Sequence, residues 1–184
     1  MLGLVTDFTY ILENQAAQTG FFYRLASMYY FDVIQREAVL AGITEKDHIL
    51  CIGGGLCPFS GILFHQITGA RVTIIDNNII CIPTAKQVIN RLGIGEFVTV
   101  FCQDGANAEL SLEEYSVIHL ALQLSHKGRV FEQAVKNATP GARLLVRRPK
   151  AYLKDMYGRF ELLNGCPYTA HRARGIGSTA LYVV

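Results

Sequence analysis

The stretch that decides the fold is ILCIGGGLCPFSG, residues 49–61. An apolar run ending in three glycines and a proline predicts a buried strand, a sharp turn and then a helix. Glycine lets the backbone turn without a Cβ and approach a ligand closely. The helix behind it, opened by Pro58 or Phe59, offers free N–H groups, and proline suits that position because its missing N–H would be unpaired there anyway. The same texture continues outward. HILCIG precedes helical PFSGILFHQI, RVTIID precedes IPTAKQVINRLG, FVTVFCQD precedes a short polar segment, YSVIHLA precedes KGRVFEQAVKNA, and ARLLVRR precedes AYLKDMYGRF. Short runs that are apolar on both sides, alternating with helices, imply a parallel sheet sandwiched by helices. YTAHRARG and STALYVV are joined by GIG, a link too short for a parallel crossover, so they predict an antiparallel C-terminal hairpin. Upstream, FFYRLASMYYFDVIQREAVLAGI predicts a helix that stops at Gly42. The expected organisation is a single α/β domain: a helical cap over residues 1–45 and a mostly parallel, seven-stranded core over 46–184.

Composition narrows the function. The chain of 184 residues is 51% hydrophobic and 17% charged, which suits one core of ordinary size and excludes dominant disorder. A formal charge of +2 is far below the basic excess of a nucleic-acid binder. Charge is uneven, however, with eight basic residues between Arg143 and Arg174 opposed by only Asp155 and Glu161. The run RLLVRRPKAYLK reads as a solvated helix face, or as an attraction for an acidic substrate. From His48 to Ala70 no Asp, Glu, Lys or Arg appears, but the three glycines, Pro58, His65 and Gln66 make this a strand, a turn and a helix rather than a membrane span. The start MLGLVTDF lacks a charged n-region and a long apolar h-region, so the expected location is cytoplasmic. Five scattered cysteines form no zinc spacing and read as reduced thiols, Cys51 and Cys102 as small buried hydrophobes.

Spacing then points to a ligand. Asp76 stands 21 residues beyond Gly55 at the end of the next strand, where a carboxylate in such a fold meets a ribose diol. Asp104 ends the third strand, with Gly105 behind it, where an adenine amino group could donate. Glycine turn and acids at successive carboxyl ends of a parallel sheet form a crevice for an adenosine-containing ligand. A dinucleotide fingerprint wants a third glycine where this chain has Pro58, so S-adenosylmethionine (SAM) fits better than NAD or FAD.

The order of strands, the glycine turn, the two acids and the closing hairpin resemble, over residues 48–184, the Rossmann-like fold of class I SAM-dependent methyltransferases. Within it, GGGLCPFSGILFHQITGARVTIID, LALQLSHKGRVF and STALYVV resemble the nicotianamine synthase group, which moves the aminocarboxypropyl arm of SAM onto a nitrogen. The resemblance implies cofactor contacts at Gly53, Gly54, Gly55, Asp76 and Asp104, with Asn77, Gly105 and Leu120 beside them at the strand ends. That group has a longer helical N-terminal domain than residues 1–45 here.

The sulfonium is already activated, so a protein must mainly align a nucleophile and remove a proton where needed. Tyr23, Tyr30 and Glu37 fall at intervals of seven, hence on one helix face. Glu37 on the lid side could take a proton from an amine and Tyr30 could orient it, as the resemblance also implies; alternatively Glu37 pairs on the surface with Arg36 or Lys46. His119, His126 and Gln123 read as structural. The absence of an N-P-P-Y sequence after strand four argues against nucleic-acid and glutamine methylation, which leaves a small-molecule acceptor. Methyl transfer and aminocarboxypropyl transfer both remain open, as does a SAM-binding accessory subunit without activity. The apolar N-terminal helix leaves room for a homodimer.

Overall fold

Residues 20–107, 110–157 and 165–184 are described by the structure, a computed structural model. Helix α1 (Gly20–Ala41) leads into β1 (His48–Ile52), α2 (Phe59–Thr68), β2 (Arg71–Asp76), α3 (Cys81–Arg91) and β3 (Val98–Cys102). After an irregular segment come β4 (Val117–Leu120), α4 (Lys127–Asn137) and β5 (Arg143–Pro149), then a 3-10 helix (Ala151–Met156), β6 (Tyr168–Ala170) and β7 (Ile176–Val183). The seven strands form one sheet in the order β3-β2-β1-β4-β5-β7-β6. The first five run parallel, β7 pairs antiparallel with both β5 and β6, and the expected C-terminal hairpin is present.

The two-sided apolar runs explain the layering. On β1, Ile49 and Cys51 face a core shared with α1, α2 and α3, while Leu50 and Ile52 face a second core with α4. Side chains alternate along a strand, so a strand buried on both faces must be apolar at every position. Cys51 is buried as expected, but Cys102 is exposed, because β3 lies at the sheet edge and leaves its last residues uncovered. Gly54 and Gly61 let the first β-α unit close: a Cβ at either would lie 2.5 or 2.6 Å from a methyl of Ile74 on β2.

The helical cap is described from Gly20; residues 1–19 and the side chain of Tyr23 lie outside the described part. Helix α1 ends at Gly42 in the left-handed conformation, φ +59°, as a helix-stopping glycine should. Arg143 donates to the carbonyls of Ala41 (2.6 Å) and Gly42 (3.1 Å) and pairs with Asp47, placing a cation at the helix's negative end. The basic run is therefore not one solvated helix face: Arg143, Arg147 and Arg148 lie on β5, with Arg147 only 4% exposed, while Lys154 stands exposed on the 3-10 segment that follows. The helix expected from AYLKDMYGRF is a 3-10 helix of 6 residues ending at Met156, and residues 158–160 lie outside the described part. No helix among the described residues is long and apolar enough to cross a membrane.

Candidate functional site

The glycine turn sits where β1 leaves the sheet. Gly53 (φ +90°) and Gly55 (φ +64°) adopt left-handed backbone that side chains disfavour. Gly53 donates its N–H to the Ile75 carbonyl at 2.9 Å, and Gly55 donates to Asp76 Oδ2 at 2.8 Å. Asp76 thus ties the turn to the end of β2. Its other oxygen accepts the Asn78 N–H at 2.9 Å. A carboxylate has about four lone-pair sites, so each oxygen keeps acceptor capacity for a hydroxyl. Asp76 is half-buried, and Asn77 beside it is exposed.

Asp104 follows β3 one strand further out. It is exposed, and its Oδ1 accepts the Ala106 N–H at 2.9 Å, which shapes the loop over Gly105. Gly105 is buried so closely against β1 that a Cβ there would lie 2.5 Å from Ile52 Cγ2. Leu120 ends β4 with no exposed surface, its side chain in the core under the crevice. What Leu120 offers a ligand is therefore backbone, and the half-buried Ala121 forms the rim. Turn, Asp76, Asp104 and Leu120 are brought together along one carboxyl edge of adjacent strands. The residues present fit an adenosine ligand: backbone without Cβ at the turn, and carboxylate acceptors beyond it.

Glu37 stands elsewhere in the layering. It has no exposed surface, and it accepts both Arg147 Nε (2.8 Å) and Nη2 (2.9 Å), a bidentate pair. Thr179 on β7 donates its hydroxyl to Glu37 Oε1 at 2.5 Å. Having spent that proton, Thr179 must accept from His171 Nε2 at 2.8 Å, so His171 carries its proton on Nε2. His119 Nε2 lies 3.6 Å from Glu37, too long for a regular hydrogen bond, and both its ring nitrogens are buried without one. Burial alone would raise the Glu37 pKa, but the charge of Arg147 holds it well below the usual carboxylate range. Burial, with Arg147, lowers the pKa of both His119 and His171, which keeps the rings neutral.

Of the expected face, Tyr30 and Glu37 point inward, and Glu37 is not a surface residue: Arg147 and Thr179 take three of its carboxylate's acceptor sites. Arg36 pairs instead with Asp32 at 2.9 Å. Tyr30 is half-buried and stacks on Phe59, ring centroids 5.5 Å apart, with the Arg147 guanidinium 5.9 Å from its ring. Phe59 begins α2 directly behind the glycine turn, so Tyr30 stands near the crevice, and Arg147, which Glu37 holds, reaches the same turn of α2 by donating to Ser60 Oγ at 2.9 Å. Arg147, Thr179 and His171 were not singled out by sequence reasoning. Nor was Lys127, buried at the start of α4.

No protein-family model matches the sequence, and no curated protein does. Solved structures do match. The strand order, turn and hairpin are those of the class I SAM-dependent methyltransferase fold. A variant of the nicotianamine synthase MtNAS in complex with S-adenosylmethionine superposes with a TM-score of 0.78 at 20% identity, over 99% of this chain and 77% of that one. MtNAS with MTA and tNA gives 0.75 at 20% identity, over 100% and 75%. An RNA methyltransferase from Salinibacter ruber in complex with S-adenosyl-L-homocysteine gives 0.60 at 17% identity, over 83% and 90%.

Proposed function

We propose that the chain binds SAM at the carboxyl edge of β1, β2 and β3 and transfers its aminocarboxypropyl arm to a nitrogen of a small molecule. The observation that carries SAM binding is the turn Gly53–Gly55 fastened to Asp76 by the 2.8 Å bond from Gly55. That bond holds a Cβ-free backbone and a carboxylate side by side, where a nucleoside needs close approach and a diol acceptor. Choice of the arm is supported by the likeness to MtNAS, which extends over 99% of this chain and so includes the cap helix, against 83% for the RNA methyltransferase.

SAM supplies a carbon already bonded to a cationic sulfur leaving group. The acceptor's nitrogen lone pair forms the new C–N bond as the C–S bond breaks, and the electron pair stays on sulfur in methylthioadenosine. The chain's part is to orient the nucleophile and exclude competing water. Glu37 spends three acceptor sites on Arg147 and Thr179, so its assigned role is to anchor α1, and Tyr30 is the assigned orienting group. Methyl transfer is the second reading, favoured by the fold's likeness to the RNA methyltransferase. Incubation with SAM and a panel of small amines separates the two by product mass. Methylthioadenosine with a larger amine is the expected outcome; S-adenosylhomocysteine with a methylated acceptor defeats the proposal in favour of the second reading. Tight binding with no product from any acceptor points instead to an accessory subunit.

A further inference from the structure

Lys127 opens α4 and is 8% exposed. A cation there meets the positive end of the helix dipole as well as the loss of water, so the fold must compensate it. It does so with three carbonyls. The ammonium donates to Ala121 O at 2.7 Å, Leu122 O at 3.3 Å and Arg147 O at 2.7 Å. The preceding His126 has φ +53°, the one positive value outside glycine among the described residues, an uncommon backbone state for a side-chain-bearing residue. Two of the carbonyls belong to the loop after β4 and the third to β5. That loop is the wall of the glycine turn: a Cβ at Gly53 would lie 2.6 Å from Leu124 Cδ2 and 3.1 Å from Ala121 Cβ. Ala121 also donates its N–H to Ile52 O at 3.1 Å, the residue before the turn.

We infer that Lys127 is a positioning residue of the ligand crevice, its ammonium holding loop 121–124 in the shape that receives the nucleoside beside Gly53. This rests on the reading of that crevice as a SAM site. Charged and titratable groups face Lys127 from three elements: Arg147 on β5, Glu37 on α1 and His119 on β4. Burial and the charge of Arg147 lower its pKa and Glu37 raises it, leaving it at about 7. A neutral amine has only two N–H groups and a lone pair for three carbonyls, so losing the proton releases one of them. Nucleoside affinity therefore falls as pH rises through about 7.

Methylthioadenosine is the suitable probe, since it lacks the amino-acid group of SAM that titrates itself. Its affinity is to be measured by calorimetry for the wild type, Lys127→Met and Lys127→Arg at about pH 6 and about pH 8, with circular dichroism to establish folding. At the lower pH, Lys127→Met is expected to bind roughly tenfold more weakly than wild type, with Lys127→Arg recovering part of the loss. Wild-type affinity is expected to fall several-fold at the higher pH, while that of Lys127→Met stays flat. Equal affinity of wild type and Lys127→Met overturns the inference, and so does a flat wild-type profile, which decides the matter if both variants misfold. Wild-type protein that binds no methylthioadenosine at either pH overturns the SAM reading beneath it.

Discussion

Asp76 carries two duties at once, since the oxygen that accepts from Gly55 belongs to the carboxylate assigned to the ribose. Replacing it by Ala is expected to weaken SAM binding by about 1–3 kcal/mol, measured by calorimetry, through loss of hydrogen bonds to an ionised acceptor. Unaltered affinity would remove Asp76 from the site. Tyr30→Phe tests the orienting role: kcat is expected to drop roughly tenfold, a loss on the scale of one hydrogen bond, with little change in the SAM dissociation constant. Equal turnover of variant and wild type would leave Tyr30 as a packing residue. At this scale the site was legible in part. The interval from Gly55 to Asp76 survives as a direct bond, because adjacent parallel strands bring successive carboxyl ends together. Leu120 was legible as a position but not as a side chain, since end-of-strand placement does not say which face a residue points to.

Among elements, the pair Glu37–Arg147 fastens α1 to the sheet. Removing one partner leaves a buried charge, so Glu37→Gln is expected to cost about 3 kcal/mol in denaturant unfolding. Its pKa is lowered in the fold from an ordinary 4.5. The unfolded chain therefore takes up this proton first, and the stability that Glu37 contributes is present above about 4.5 and lost as pH falls below it. Melting temperature followed from neutral pH into acid is expected to fall less steeply in Glu37→Gln than in wild type; parallel curves would dissociate Glu37 from acid unfolding. Nothing local in the sequence announces this pair. The residues lie 110 positions apart, and Arg147 sits in a run whose basic composition suggests solvent. The strands themselves were legible, because burial on both faces demands apolar residues at every position, whereas the exposure of Cys102 depends on which strand ends at the edge.

For the whole molecule, ligands that select the folded state raise its melting temperature. SAM, S-adenosylhomocysteine and methylthioadenosine are each expected to do so, by about 2.7 kcal/mol of added stability when present at a hundredfold over the dissociation constant. NAD is expected to leave it unmoved, since Pro58 occupies the position where a dinucleotide turn needs glycine. Stabilisation by NAD alone would reverse the ligand assignment.

The antiparallel placement of β7 also has a bearing on synthesis at the ribosome. Glu37 finds Arg147 only after 110 further residues have been added, and Thr179 only after 142. Until Arg147 has been added the first helix has no partner for its acid, and contacts this remote in sequence form late because a long loop must close first. A nascent chain stalled before Arg147 should accordingly leave that helix open to protease, and one extended beyond it should begin to protect it.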